Sequence, residues 1–169
     1  MSFLDSPFIT KIRRNHGLEH ATIHILSKRN GNLSLVGYSD WNGFSLYGSV
    51  DTAEVRHAAS EALHRLRRGE SGLAVHPRCG TVLATTGLLT ALATFLAISL
   101  GGNSGRRFRW ESVPAAVLAA TGAAILAQPL GLMVQERYTV SGSPGNLEIK
   151  SISVKSDAGV VVHRINTTQ

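Results

Sequence analysis

Charge is what two long stretches of this chain lack: no Asp, Glu, Lys or Arg lies between Cys79 and Gly105, nor between Ser112 and Gln135. Cysteine is nearly absent as well, and a single thiol, Cys79, excludes an intramolecular disulfide. Acidic residues are scarce, 11 against 17 Lys and Arg, which leaves a formal charge of +6 while only 17% of the 169 residues are charged. The basic residues are scattered or flank the apolar runs and form no recognisable binding module, so nucleic acid is not an expected partner. A weakly charged chain of slightly positive mean hydropathy fits a membrane protein better. The opening MSFLDSPF has neither a basic start nor an apolar core segment, so no signal peptide is expected.

What fills the uncharged stretches is apolar and long. VLATTGLLTALATFLAISL (82–100) and VPAAVLAATGAAILAQPLGLMV (113–134) each reach the ~20 residues that a helix needs to cross a bilayer. The alternative, two buried helices of a soluble core, fits less well, because the rest of the chain is too short to cover them. Ala116, Ala120 and Ala124 share one helix face, which predicts close helix contact. A hairpin within one chain, a homodimer or a membrane-complex partner meets that need equally. Two crossings put both termini on one side, and Arg67, Arg68, Arg78, Arg137 and Lys150 outweigh Arg106, Arg107 and Arg109 of the connector, which favours the cytoplasm.

The remainder reads as a small α/β surface domain. Ser6-Pro7 starts a helix of about 7–29 that Asn30-Gly31 ends. LSLVGY (33–38) and GFSLYGSV (43–50) form a hairpin about Asn42-Gly43. Asp51, with Glu54 three residues on, caps a second helix over 52–68. LEIKSISVK (147–155) predicts a third strand able to join the hairpin, followed by a polar tail. The expected fold is therefore an α+β membrane protein. Residues 1–81 form a helix-hairpin-helix surface domain, 82–134 a two-helix transmembrane hairpin, and 135–169 a C-terminal strand and tail joining the surface domain.

The first helix carries NHGLEHATIH (15–24). On a helical wheel Ile9, Ile12, Ile23 and Leu26 define an apolar stripe that His16, Glu19 and His20 continue through the middle. Polar groups at inward positions need partners, and a metal ion is one. Histidines at i and i+4 lie one turn apart, so both imidazoles can reach a single Zn²⁺ at about 2.0–2.1 Å. His-x-x-Glu-His is also the inverted motif of one class of zinc protease, with the glutamate as general base. Hydrogen-bonded core histidines satisfy the same pattern without a metal. His24, at the edge of the stripe, reads as solvated or as a supporting donor. Gly17 in mid-helix costs about 1 kcal/mol relative to Ala, which predicts a close approach on that face.

A second donor pair, His76 and Cys79, lies in HPRCGT at the entrance to the first apolar run. Cys79, beside Arg78 and a helix N-terminus, should favour the thiolate that binds metals. His16 and His20 with one or both of His76 and Cys79 make three or four ligands, open and catalytic or closed and structural respectively. The same segment also serves as a simple bend into the membrane, and Cys79 activated by His76 is a further reading. Glu54-x-x-His57 and Glu61-x-x-His64 repeat a spacing seen in di-iron bundles, but they lie opposite the Val55, Ala58, Ala62, Leu66 face and read as a solvated stripe. Glu136, at the exit of the second apolar run, reads as an interfacial anchor beside Arg137, with a carboxylate ligand or base on the membrane surface of His76 as the alternative.

HGLEH and the later HPRCGT, followed by apolar helices, resemble an uncharacterised bacterial integral membrane family, a domain of unknown function with paired HGxEH and HPxCGT motifs that is related to predicted metal-dependent membrane proteins. The likeness runs from His16 to about Ile152 and includes GFSLYGSV and the QER step at Gln135–Arg137. It picks out His16, Glu19, His20, His76 and Cys79. The expectation is an integral membrane protein with a zinc site formed by His16, His20, His76 and Cys79, acting as a hydrolase at the membrane surface with Glu19 as general base. The alternative is a scaffold or partner-binding subunit with a structural metal or none.

Overall fold

The computed structural model describes residues 6–100, 110–157 and 159–169. The basic connector with Arg106, Arg107 and Arg109 lies outside the described residues. The chain divides into two compact units, one made of the residues up to His76 together with Glu136–Gln169, the other of Pro77–Gln135.

In the first unit, helix α1 spans Pro7–Arg29, with Pro at its first turn and Lys28 and Arg29 in its last, where they face the negative end of the helix dipole. Strands β1 (Val36–Asp40) and β2 (Gly43–Tyr47) form the expected hairpin, Val36 opposite Tyr47 and Asp40 opposite Gly43, but β1 lies later in the chain than the expected 33–38 and the turn is Trp41–Asn42, with Gly43 already paired in β2. Gly43 has a φ of +146°, and a Cβ there would overlap the Ile165 carbonyl, so glycine is required. Helix α2 (Thr52–Arg67) is capped by Asp51, whose carboxylate accepts from the amides of Ala53 at 2.7 Å and Glu54 at 3.2 Å.

The C-terminal region departs from expectation. A long strand, here β3 (Glu148–Asp157), does follow, but the polar tail after it forms a further strand, β4 (Val160–Thr168). The sheet is antiparallel in the order β1-β2-β4-β3, so β4 joins the hairpin and β3 is the outer strand. The tail reads as polar because β4 alternates: Ile165 and His163 are fully buried while Arg164 and Val162 point the other way. Phe44, Leu46 and Ile165 pack beneath Leu18, Ala21 and Leu26 of α1 and Val55, Ala58 and Ala62 of α2, so both helices cover one face of the sheet.

The second unit consists of two helices, α3 (Gly80–Leu100) and α4 (Val113–Val134), each long and apolar enough to cross a membrane. They pack through small residues: Ala116, Ala127 and Gly131 are buried, and a Cβ on Gly131 would stand 3.0 Å from the Val82 Cα. Ala120 and Ala124 are half-buried on the same helix. The outward surface is apolar, with Leu88, Phe95, Leu118 and Ile125 exposed. Thr85, Thr86, Thr90 and Thr94 each donate a hydroxyl proton to the carbonyl four residues earlier at 2.7–2.9 Å, so their polarity is met inside α3. A short turn (Trp110–Ser112) leads into α4, and a single π turn (Gln135–Thr139) follows it.

Candidate metal centre

The middle of α1 is buried over Gly17–Ile23, and two chain segments lie along it. One is the turn Ser71–Ala74, and the other is the stretch 136–143, which includes most of the π turn. The second is tied down by Ser141, whose amide donates to the Arg13 carbonyl at 2.9 Å, and by Arg13, whose Nη2 donates to the carbonyls of Arg137 and Val140 at 2.9 and 3.0 Å. Gly17 is the point of closest approach. A Cβ there would overlap the Ser141 carbonyl oxygen and lie 3.3 Å from the Ala74 Cβ, as its mid-helix position predicted.

These segments orient the histidines. His16 Nδ1 lies 3.0 Å from the Thr139 carbonyl and His20 Nδ1 2.7 Å from the Ala74 carbonyl. A carbonyl only accepts, so Nδ1 donates in both rings, and in the neutral tautomer the lone pair of each is on Nε2. That is how metal-ligating histidines are held, by the other nitrogen donating to a carbonyl or carboxylate. The rings meet edge to face, centroids 4.4 Å apart, and the His76 ring lies 5.8 Å from that of His20. The first unit therefore pairs His16 and His20 on α1 and places the His76 ring next to that of His20. Cys79 opens the second unit, three residues after His76. Its thiol is buried and lies 3.7 Å from Thr81 Oγ1. His24 is exposed, in keeping with a solvated position.

Glu19 is buried and its carboxylate turns toward β1, where the Ser39 hydroxyl donates to Oε2. Gly37, two residues earlier on the same strand face, leaves the space that the carboxylate fills, since a Cβ there would overlap it. Gly37 and Ser39 thus form a cradle that sequence reasoning did not single out; the i, i+2 spacing on a strand opposite the histidine helix is the signal that could have found it. Nearby, Asn15 is fully buried and bridges the Asp40 carbonyl at 2.8 Å and the Thr167 hydroxyl at 2.7 Å. Asp40 makes two 2.8 Å bonds with Arg164, which hold its carboxyl below the usual carboxylate range.

A groove of about 300 Å³ runs beside the histidine supports, lined by Arg13, Ser71, Glu136, Ser141 and Ser143. Its walls are the same two segments whose carbonyls hold His16 and His20. Glu136, expected as an anchor, is therefore also a groove residue. The Glu54, His57, Glu61, His64 stripe of α2 is solvated as expected, with Glu61 engaged by Arg29 at 2.5 Å and by Arg65 at 3.6 Å. A histidine not singled out from sequence, His163 on β4, is completely buried, with Nε2 3.1 Å from the Thr52 hydroxyl. Burial pushes its pKa below the ordinary value, with Asp51 opposing. The alternating run VVVHRIN carried the signal, because it puts His163 on the same face as Ile165.

The chain is 34% identical over 160 residues to an uncharacterized protein of Picosynechococcus sp., covering 86% of this chain and 73% of that relative. No solved structure matches it. The family model described as Domain of unknown function (DUF6391) matches residues 11–152, a span that holds His16, Glu19, His20, His76 and Cys79. The chain belongs to that family.

Proposed function

We propose that this is an integral membrane protein whose surface unit holds a divalent metal ion on the His16 and His20 pair of α1, and that the metal serves hydrolysis at the membrane surface. The observation that carries the metal reading is the pair of Nδ1-to-carbonyl hydrogen bonds, which present His16 and His20 as Nε2 donors one helical turn apart. The further ligands of the proposal are His76 and Cys79, the donor pair that HPRCGT supplies in sequence. Two imidazoles and a thiolate suit zinc better than the oxygen-seeking Mg²⁺ or Ca²⁺. His76 is the remaining donor, as a fourth ligand or a proton carrier beside His20.

Zinc in such a site lowers the pKa of a coordinated water toward ~7. Glu19 would be the general base and the Ser71–Ser143 groove the place for substrate. A second reading has an observation of its own: Ser39 engages the Glu19 carboxylate against β1, which suits a structural role in a scaffold. The membrane reading rests on two helices whose outward faces are apolar and whose threonines return their hydroxyls to their own backbone. Both termini are assigned to the cytoplasm by the basic flanks.

Plasma mass spectrometry on detergent-purified protein tests the metal. About one zinc per chain is expected in the wild type and none in the His16→Ala, His20→Ala double variant; a wild type that neither carries metal nor takes it up on loading overturns the reading. Glu19→Gln separates the two roles, since a hydrolase keeps its zinc and loses turnover, whereas a scaffold keeps zinc, fold and function.

A further inference from the structure

Two aromatic side chains of the surface unit sit outside its core. Phe8, on the first turn of α1, is 54% exposed, and Trp41, in the β1–β2 turn, is 51% exposed, yet their rings pack on each other at 6.5 Å. Lys11, one turn along from Phe8, places its ammonium 5.4 Å from the centre of the Trp41 ring. Tyr38, on the sheet face opposite α1 and α2, is 63% exposed. The turn that carries Trp41 is pinned from behind: Thr167 donates its amide to the Asn42 carbonyl at 2.8 Å, Asp40 accepts from the Asn42 amide at 2.8 Å, and Asn15 holds the Asp40 carbonyl. A rigid frame therefore presents an aromatic pair with a cation above it, and the core gains nothing from it.

We infer that Phe8, Lys11 and Trp41 form a lipid-interface anchor that seats the surface unit on an anionic bilayer. Three features select lipid over a protein partner. The cluster joins two half-exposed rings and a cation, the combination that settles where acyl chains meet headgroups. The chain carries two bilayer-length apolar helices, so a bilayer is at hand wherever the surface unit is. Lys11 and the net charge of +6 complement anionic lipid. The inference rests on the membrane reading of α3 and α4 and is independent of the metal.

The test uses the full chain with Trp110→Phe, leaving Trp41 as the single tryptophan, reconstituted in phosphatidylcholine–phosphatidylglycerol vesicles. Flotation after an alkaline wash reports on the two helices, and Trp41 emission reports on the anchor. Expected are a blue-shifted emission, shielding from aqueous iodide, and strong quenching by brominated lipids. Shallow bromines should quench more than deep ones, since interfacial groups sit about 5–10 Å into the headgroup boundary. Lys11→Glu should weaken the quenching on anionic vesicles while changing it little on phosphatidylcholine alone. Protein that floats while Trp41 is quenched by iodide and not by bromolipid overturns the anchor and leaves the helices in the membrane. Emission quenched by neither overturns it in favour of a second copy or another protein over the patch. Protein that fails to float overturns anchor and membrane reading together. Should Trp110→Phe misfold, the difference between wild type and Trp41→Phe gives the same readout.

Discussion

The two units find partners for most of their shielded polar groups in opposite ways. In α3 the hydroxyls of Thr85, Thr86, Thr90 and Thr94 bond to carbonyls four residues back in their own helix. In the surface unit the partners are far away in sequence: Asn15 with Thr167, His16 with Thr139, His20 with Ala74, and Arg67 with the Leu147 carbonyl. Local satisfaction makes the helical hairpin self-sufficient and leaves its outer surface free to be apolar. Long-range satisfaction locks distant segments together and creates places where oriented donors converge. The convergence of His16 and His20 is a product of the second strategy.

Substitutions that break the long-range contacts should have the largest effects. Gly17→Leu drives a side chain into the Ser141 backbone and the Ala74 methyl, neither of which can yield without moving the supports of both histidines. It should cost upward of about 3 kcal/mol and abolish metal uptake, which thermal melts and metal analysis would register together. A variant that melts like the wild type would mean the segments are not fixed there.

Asn15→Leu keeps the volume but strands the Asp40 carbonyl and the Thr167 hydroxyl. A loss of about 1–3 kcal/mol is expected from groups left buried without partners. Urea unfolding with the slope unchanged would identify it as a loss of stability alone.

Acid should also separate the units, because α3 and α4 contain no ionisable side chain. His163 has a native pKa below its ordinary 6.5, so as pH falls through 6.5 the unfolded chain takes up a proton that the folded one resists, and stability declines until the lower native value is reached. Asp40 is depressed by Arg164, so its contribution is present above 3.8 and is lost as pH falls through the native value below that. Melts from neutral to acid pH should show the first decline in the wild type and lose it in His163→Gln, whereas the second should persist. An unchanged first decline in that variant would assign it to another group.

The smallest effect is expected at Thr90→Val. Its hydroxyl donates to the Thr86 and Gly87 carbonyls of its own helix, which keep their backbone partners when it is removed, and a shift within about 0.5 kcal/mol is expected in detergent. A markedly larger loss would mean that α3 uses its threonines against another surface, and would erase the contrast between the units.

Legibility followed the same division. α1, both strands of the hairpin, α2 and its Asp51 cap, and the two apolar helices were readable because their signals are local: a proline start, an Asn-Gly turn, an Asp cap and uncharged runs. β4 was not, because a strand with one face uncovered carries enough polar residues to pass for a tail, and only its pairing with β2 shows which residues it buries. Within the site, the HxxEH spacing made the facing of His16 and His20 legible. Nothing local to Thr139 or Ala74 marks a carbonyl as a histidine partner, and nothing in VGYSD marks Gly37 and Ser39 as the cradle of a carboxylate on another element.

By itself, then, the sequence determined which residue types stand one helical turn apart, where charge is absent long enough for a bilayer, and where glycine or proline constrains the backbone, since each follows from helix periodicity and local sterics. The tertiary structure alone decided which nitrogen of each histidine is left as the donor, that Glu19 turns to Ser39, and that His163 is cut off from water. Those outcomes depend on hydrogen-bond partners and on burial supplied by segments from Ala74 to Thr167, and a partner brought in by folding leaves no mark in the residues beside the group it meets.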